Sequence, residues 1–221
     1  AIAKDILDLK FDVLKERIKT VFGWMEDPFD TFEKQMAANA VHNINSIYFI
    51  LFAEFAQYDR NISMYSPRMH AAVRSMNDYT EIGIHPSYRS NESEEIVALE
   101  HRTLEEALRT TVTKSRQHFL KMTFPDTFRK LAELGITDEY SMGYASEPGF
   151  RASIATPFTF YDLEMEVAIP LTMHPFMLMD MTFIDYKKLS AAEAWEQMKP
   201  IIDQTKRVNG QLMTVFHNRV F

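Results

Sequence analysis

The sequence has no cysteine and little glycine, with 6 glycines among 221 residues. Without cysteine the chain cannot form disulfides, thiolate zinc sites or iron–sulfur clusters, and it has no cysteine nucleophile. The glycine-rich motifs G-x-G-x-x-G and G-x-x-x-x-G-K-S/T are absent, which argues against a glycine-cradled phosphate site. G-x-S-x-G is absent too, so a serine hydrolase of that class is not expected.

Long apolar runs and an excess of positive charge are also missing. No run of about 18 apolar residues occurs, and the charged, amphipathic N-terminal segment does not look like a signal peptide. We therefore expect a cytoplasmic protein with no membrane span. The formal net charge of −7 and the pI of about 5.5 argue against a nucleic-acid partner. The composition, 46% hydrophobic and 25% charged, is typical of globular proteins, and we expect one domain over residues 1–221.

Patterns typical of strands alternate with patterns typical of helices along most of the chain. Residues 46–52 are continuously apolar, aromatic or β-branched, which indicates a strand buried on both faces. The spacing predicts helices at 3–22, 66–77, 92–110 and 190–208, and further strands at 82–85, 112–119, 140–144 and 212–216. This alternation predicts an α/β fold with a mostly parallel sheet, open or closed into a barrel.

Polar side chains follow three of the predicted strands. They are His85, then Arg116 with His118, and finally His217 with Asn218. Sites of parallel α/β folds form at the carboxyl ends of strands, so these residues are expected to converge. Neutral imidazole is a good ligand for zinc, cobalt or nickel, and a further histidine can act as a general acid. The histidines on predicted helices, His42, His70 and His101, are expected at the surface.

Three positions have both a functional and a structural interpretation. Arg116 and Arg151 could each bind a carboxylate, a phosphate or another acidic group bidentately, or each could pair with a structural aspartate. Asp180 follows an apolar extended run and could orient a histidine or an arginine, or could cap local backbone.

Several segments, taken in order, resemble a known family. They are Asp27-Pro28-Phe29-Asp30-Thr31, Glu81-Ile82-Gly83-Ile84-His85-Pro86-Ser87-Tyr88, Lys114-Ser115-Arg116-Gln117-His118-Phe119-Leu120, Tyr140-Ser141-Met142-Gly143-Tyr144-Ala145, Gly149-Phe150-Arg151-Ala152 and Phe216-His217-Asn218. Together they resemble a bacterial branch of the polysaccharide deacetylases, carbohydrate esterases with the NodB homology domain. The resemblance implies a distorted (β/α) barrel, a divalent metal ion, most naturally zinc with cobalt or nickel as alternatives, and hydrolysis of acetyl groups on a sugar polymer.

The resemblance also assigns roles to individual residues. His85 matches the first metal histidine; the second falls on Arg89, which cannot ligate, so His118 is taken as its replacement. His217 matches the catalytic acid. Arg116 matches the arginine of the family's arginine-containing motif. Beside these matches, we expect Arg151 and Asp180 as further catalytic residues and Ser87, Tyr88, Tyr140 and Asn218 as contacts of the acetylated carbohydrate.

The family's first motif, an Asp–Asp pair on a first strand, has no counterpart in this sequence. We therefore expect a chain truncated at its start, and at its end as well. The alternative is a catalytically inactive carbohydrate-binding or scaffold protein on the same fold. A third possibility, an amidohydrolase-like metal enzyme, typically needs H-x-H on its first strand, and no H-x-H occurs. The sequence says nothing about the oligomeric state.

Overall fold

The computed structural model describes residues 11–27 and 29–220, the side chains of Val13 and Arg219 excepted. Its helices and strands alternate along the chain as the sequence pattern predicts. The α-helices are α1 Phe11–Val21, α2 Phe32–His42, α3 Pro67–Asn77, α4 Glu94–Leu108, α5 Asp126–Glu133 and α6 Ala191–Arg207. The strands are β1 Ile47–Ile50, β2 Glu81–Ile84, β3 Lys114–Ser115, β4 Asp138–Glu139, β5 Phe158–Asp162, β6 Val167–Met173, β7 Leu178–Met179 and β8 Thr214–Val215.

The main sheet has six strands in the order β1-β2-β3-β4-β6-β5. All its neighbouring strands pair in parallel except β5 and β6, which form an antiparallel pair. β7 and β8 form a separate parallel pair. The predicted α/β fold with a mostly parallel sheet is therefore confirmed. Within the described residues the strands form these two sheets and do not close into one barrel.

The first two strands show why these residues form a buried parallel sheet. β1 consists of β-branched and aromatic residues, which suit a pleated, buried surface. Gly83 of β2 lies where a Cβ atom would be 2.6 Å from the Phe49 ring and 2.9 Å from the Lys114 carbonyl oxygen. The close approach of β1 and β3 thus requires glycine at this position.

The helices begin and end at residues with appropriate chemistry. Ser190 caps α6 in a complete capping box, in which its side chain accepts from the Glu193 amide and the Glu193 carboxylate accepts from the Ser190 amide. Pro67 lies in the first turn of α3, where its missing N–H costs nothing. Arg109 ends α4 in the left-handed conformation at φ 60°.

The principal hydrophobic core lies between the main sheet and helices α3, α4 and α5. Helix side chains such as Val73, Leu104 and Phe128 pack there against sheet residues such as Ile84 and Met173, and all five are at most 1% exposed. Burying apolar side chains in this way is the main favourable contribution to folding. The core fixes the strand ends, and the strand ends position the loops described below.

The chain divides into two compact units. One comprises Ala1–Asn45 with His217–Phe221, and the other comprises Ser46–Phe216. The main sheet and its helices α3 to α6 belong to the second unit. The expectation of one domain over residues 1–221 stays a prediction. In the described part of the chain, no helix is both long and apolar enough to cross a bilayer.

Two of the predicted strands differ from the structure. The strand predicted at 112–119 is limited to Lys114–Ser115, and His118 already lies in the turn that follows. The strand predicted at 140–144 is wrong, because the strand there is Asp138–Glu139 and Tyr140 already follows it. Pairing with β3 on one side and β6 on the other fixes this position. The helix predicted at 3–22 corresponds to Phe11–Val21, and residues 3–10 of that prediction lie outside the described residues.

Candidate functional site

The carboxyl ends of β2 and β3 bring two histidines together. His85 follows β2 directly, and its amide donates to the carbonyl of Ile50 at 2.9 Å. His118 lies in a short turn after β3, and its amide donates to the carbonyl of Pro86 at 3.2 Å. The centroids of the two imidazole rings are 5.0 Å apart. The expected convergence of His85 and His118 is therefore present in the structure.

The backbone of Arg116 orients the His85 ring. His85 Nδ1 forms a short hydrogen bond with the Arg116 carbonyl oxygen. Because a carbonyl can only accept, Nδ1 must carry the proton, and in the neutral ring Nε2 is then the basic nitrogen. The Arg116 amide in turn donates to the Ile84 carbonyl at 3.0 Å, as an extension of the β2–β3 pairing.

A buried aspartate, Asp59, contacts the other histidine. His118 Nδ1 lies 2.8 Å from Asp59 Oδ1, and the same oxygen accepts a hydrogen bond of 2.7 Å from the Tyr88 amide. Asp59 is fully buried, whereas the His118 side chain is 19% exposed. The second oxygen, Oδ2, has no hydrogen-bond donor among the described residues. One carboxylate thus connects the segments that follow β2 and β3.

The loop after β1 places Asp59. The Met64 amide donates to the Ala53 carbonyl at 3.0 Å, and Asn61 Nδ2 donates to the same carbonyl at 2.7 Å. Ala53 and Met64 are both buried, so the base of the loop belongs to the core. This closed loop places Asp59 at the carboxyl ends of the strands, next to His118.

Arg116 and Glu139 bring two opposite charges into the interior at the ends of β3 and β4. The Arg116 guanidinium lies 4.5 Å from the centroid of the Phe49 ring, and its Nε donates to the Tyr140 carbonyl at 3.1 Å. Burial lowers the pKa of Arg116 to about 10, and the charge of Glu139 opposes this change. Burial raises the pKa of Glu139 to about 7, against the hydrogen bonds that it accepts from Ser141.

A second buried carboxyl, that of Glu100 on α4, lies beneath the segment after β2. Its Oε2 accepts from the Ser87 amide at 3.0 Å. Burial raises the pKa of Glu100 to about 7, and the nearby charge of Asp59 adds to the rise. Ser87 is itself 2% exposed, and its hydroxyl oxygen accepts from the Ser90 amide at 3.1 Å.

Three aromatic rings form a cluster beside the two histidines. Tyr58 and Tyr88 have centroids 4.6 Å apart, and Phe119 lies edge-on to both at 6.0 and 5.8 Å. Phe119 also contacts the His118 ring, at 4.6 Å between centroids. Phe119 is 60% exposed and Tyr58 is 49% exposed, so the cluster faces solvent. The ammonium group of Lys121 lies 3.7 Å from the centroid of Tyr88.

Three other predicted residues lie elsewhere in the same unit. Tyr140 is 4% exposed, and its ring stacks on His174 with centroids 4.4 Å apart. Arg151 is half-buried and donates to the Gly143 carbonyl at 3.2 Å. Asp180 follows β7, is buried, and accepts from the Met181 amide at 2.6 Å. Their assignments to catalysis or substrate binding stay predictions.

His217 and Asn218 belong to the other compact unit. His217 is exposed. Asn218 joins the segment around Phe29, because its Nδ2 donates to the Phe29 carbonyl at 3.2 Å and its own carbonyl accepts from Thr31 Oγ1 at 3.2 Å. The roles of His217 as acid and of Asn218 as a substrate contact stay predictions.

The histidine pair fits two ligands of a zinc ion. Zinc–nitrogen bonds of about 2.0–2.1 Å at a tetrahedral angle place two ligating rings with centroids about 5 Å apart. The observed separation of His85 and His118 is 5.0 Å. Among the residues that the structure describes, no group of three histidine, aspartate or glutamate side chains is arranged to hold a metal ion. The described residues therefore fit part of a ligand set.

The sequence pattern does not point to Asp59, Glu100 or Glu139 as site residues. Glu139 is the last residue of β4 and lies just before the strand predicted at 140–144, so it is not among the residues expected after a strand. Asp59 lies in the loop after β1, and searching whole loops rather than only the residues next to each strand would have included it. Glu100 is one of several acidic residues on α4, and the pattern does not distinguish it from its exposed neighbours.

Comparisons with known proteins find similarity in structure. No family model matches the sequence, and no curated protein matches it. A candidate polysaccharide deacetylase from Mycobacterium smegmatis aligns with a TM-score of 0.62 and 15% identity over 99% of this chain and 74% of its own. PuuE allantoinase aligns with a TM-score of 0.59 and 14% identity over 92% of this chain and 64% of its own.

A third solved structure is a candidate polysaccharide deacetylase involved in O-antigen biosynthesis in Bordetella bronchiseptica. It aligns with a TM-score of 0.50 and 16% identity over 85% of this chain and 65% of its own. The chain therefore spans about two thirds to three quarters of the length of these three proteins. At identities this low, the structural similarity shows a shared fold. It is the fold of the family that the sequence motifs resemble.

Proposed function

We propose that this protein is a metal-dependent hydrolase that removes acetyl groups from an acetylated sugar or polysaccharide. The observation that supports the proposal best is the pair of imidazoles, His85 and His118, at adjacent strand ends and 5.0 Å apart between ring centroids. Parallel α/β folds form their sites at this edge. Two of the structurally similar proteins are candidate polysaccharide deacetylases, which is consistent with this chemistry.

In this proposal His85 and His118 hold a divalent cation, zinc first and cobalt or nickel as alternatives. A bound zinc ion supplies a Lewis acid that polarises the acetyl carbonyl and makes a bound water more acidic. Arg116 keeps His85 in the required tautomer through its carbonyl oxygen. The Arg116 backbone is held by the hydrogen bond of 3.0 Å from its amide to the Ile84 carbonyl, and its guanidinium packs against Phe49.

The remaining roles follow the sequence resemblance. The resemblance assigns to His217 the role of donating a proton to the leaving amine or alkoxide. Arg151 and Asp180 orient the reacting groups. The resemblance assigns the base that accepts the proton of water to an aspartate of the first motif, which has no counterpart in this sequence.

The substrate contacts are assigned to the aromatic cluster of Tyr58, Tyr88 and Phe119. Aromatic rings offer large apolar faces that can pack against the C–H face of a sugar ring. The cluster adjoins His118 through Phe119, at 4.6 Å between centroids. A sugar ring on this surface would therefore lie next to the two histidines, and Lys121 offers a hydrogen-bond donor beside it.

A second candidate function is carbohydrate binding without catalysis. It is favoured by Arg89, which stands at the second family histidine position and is exposed in this structure. It is also favoured by the incomplete ligand set within the described residues. Such a protein would use the aromatic cluster and would need neither a metal ion nor a proton donor.

Measuring acetate release tests the two functions against each other. The zinc-supplemented protein is incubated with N-acetylglucosamine oligomers and with O-acetylated oligosaccharides. We expect release by the wild type, and its loss in H85A and in H118A. The matched control is H174A, since His174 is also an imidazole at a strand end bonded to a carboxylate, Asp138, at 2.6 Å; it should retain activity.

Three outcomes decide between the functions. Release that disappears in both histidine variants and persists in H174A supports the hydrolase. Oligosaccharide binding by calorimetry without any release supports the non-catalytic alternative. Release that is unaffected in H85A and H118A contradicts the assignment of these histidines.

A further inference from the structure

The carboxylate of Asp59 is bonded to both loops of the two-histidine site. We propose that Asp59 is a positioning residue: it holds His118 with its proton on Nδ1, which leaves Nε2 as the nitrogen that would bind a metal ion. This inference rests on the proposed function, in which His118 is a metal ligand. No sequence motif pointed to Asp59, and its place in the structure alone suggests the role.

The hydrogen bonds of Asp59 identify the donor in the pair. Oδ1 accepts from the Tyr88 amide at 2.7 Å, and an amide N–H can only donate. An ionised carboxylate has no proton to donate, so the bond of 2.8 Å to His118 Nδ1 needs its proton on the nitrogen. The position of the proton on His118 follows from this geometry.

The same tautomer is imposed on His85 by a different group. There the acceptor for Nδ1 is the Arg116 carbonyl oxygen, which belongs to another segment of the chain. Two independent acceptors thus select the same tautomer in two rings with centroids 5.0 Å apart. Metal-ligating histidines usually donate their other ring N–H to a carboxylate or a backbone carbonyl, and both kinds of acceptor occur here.

The burial of Asp59 is costly if stability alone is considered. The residue is fully buried, and Oδ2 has no hydrogen-bond donor among the described residues. A buried carboxylate oxygen without a partner destabilises a fold. An uncharged acceptor would satisfy the Tyr88 amide, so this hydrogen bond does not explain why a carboxylate is buried here. The orientation of His118 does explain it.

A second histidine–aspartate pair in the same sheet provides the comparison. His174 Nε2 lies 2.6 Å from Asp138 Oδ1, so this pair engages the opposite ring nitrogen. The His174 ring stacks on the buried Tyr140 ring at an interplanar angle of 6°. Among the described residues, the ring contact of His174 is with Tyr140 and not with another histidine. Asp138 is therefore a matched control for Asp59.

The experiment is ¹⁵N NMR of the imidazole nitrogens in the metal-free protein, combined with calorimetric titration with zinc alone. We expect the wild type to show His118 protonated on Nδ1. D59A removes the acceptor, so His118 should populate both tautomers and zinc affinity should fall by about 10- to 100-fold. D59N keeps an oxygen at the Oδ1 position, so it should retain the tautomer and lose less affinity.

The control D138A should bind zinc as the wild type does. A wild-type His118 protonated on Nε2 would overturn the proposal, whatever the zinc titration gives and even if D59A does not fold. Retention of the tautomer and of full affinity in a folded D59A would overturn it as well. Absence of zinc binding by the wild type would contradict the metal dependence of the proposed function. The tautomer of His118 would still test whether Asp59 positions that ring.

Discussion

Replacing Glu100 by glutamine should change how stability depends on pH. The carboxyl is 3% exposed, and burial raises its pKa from 4.5 to about 7. Glutamine is a neutral analogue of the protonated carboxyl, and its amide oxygen can still accept from the Ser87 amide. The variant therefore removes the titration while it keeps the shape and the main hydrogen bond.

The direction and size of the effect follow from linkage. Between pH 4.5 and about 7 the folded state keeps a proton on Glu100 that the unfolded state has lost, so this group lowers stability as pH rises. One pKa unit corresponds to about 1.4 kcal/mol, so the full effect is about 3 kcal/mol. The loss begins near pH 4.5 and is complete somewhat above pH 7.

Urea unfolding from pH 4 to pH 8 measures this effect. The free energy of unfolding of E100Q minus that of the wild type should rise by about 3 kcal/mol across the range. The control is E106Q, which changes an exposed glutamate on the same helix and should follow the wild type. A difference between E100Q and the wild type that does not vary with pH would contradict a raised pKa of Glu100.

Two further substitutions test the packing and the aromatic cluster. G143A should lower the free energy of unfolding by about 1–3 kcal/mol in urea, because its Cβ would overlap the Phe176 ring; unchanged stability would show that the ring can move away freely. F119A should weaken the binding of N-acetylglucosamine oligomers in calorimetry while the free energy of unfolding changes by less than about 0.5 kcal/mol, because the ring is 60% exposed. Equal affinity in F119A and the wild type would contradict the substrate surface.

The strands and helices that could be predicted well are those whose signal is local. The apolar run at 46–52 contains β1, whose β-branched and aromatic residues favour a strand, although β1 is half-buried and not buried on both faces as predicted. The capping box of Ser190 and Glu193 marks the start of α6 to the residue. In both cases the residues that determine the element lie within it, so the sequence is sufficient.

The elements that were misplaced depend on distant partners. The strand near Tyr140 is only two residues long, and its position is set by pairing with β3 and β6 rather than by its own composition. His101 was expected at the surface, yet it is 5% exposed and its Nε2 is 2.7 Å from the Val112 carbonyl oxygen. The spacing of residues in α4 does not indicate that the helix face carrying His101 is buried.

The candidate site also contains residues that local sequence patterns predict and a residue that they do not predict. The topological rule for parallel sheets predicted that His85, Arg116 and His118 converge with His217 and Asn218. The first three lie together in the second unit, whereas His217 and Asn218 belong to the other unit. Asp59 could not be predicted in this way, because loop closure between Ala53 and Met64 brings it to the site. A hydrogen bond between residues 59 positions apart in the chain leaves no local pattern.

The most direct test of the account is the position of a zinc ion bound to the protein. Crystals soaked with zinc are measured at the zinc absorption edge, and the anomalous difference map locates the ion. The account predicts one strong peak about 2.0–2.1 Å from Nε2 of both His85 and His118. No peak between these two rings, or a peak elsewhere with both imidazoles unliganded, would contradict it.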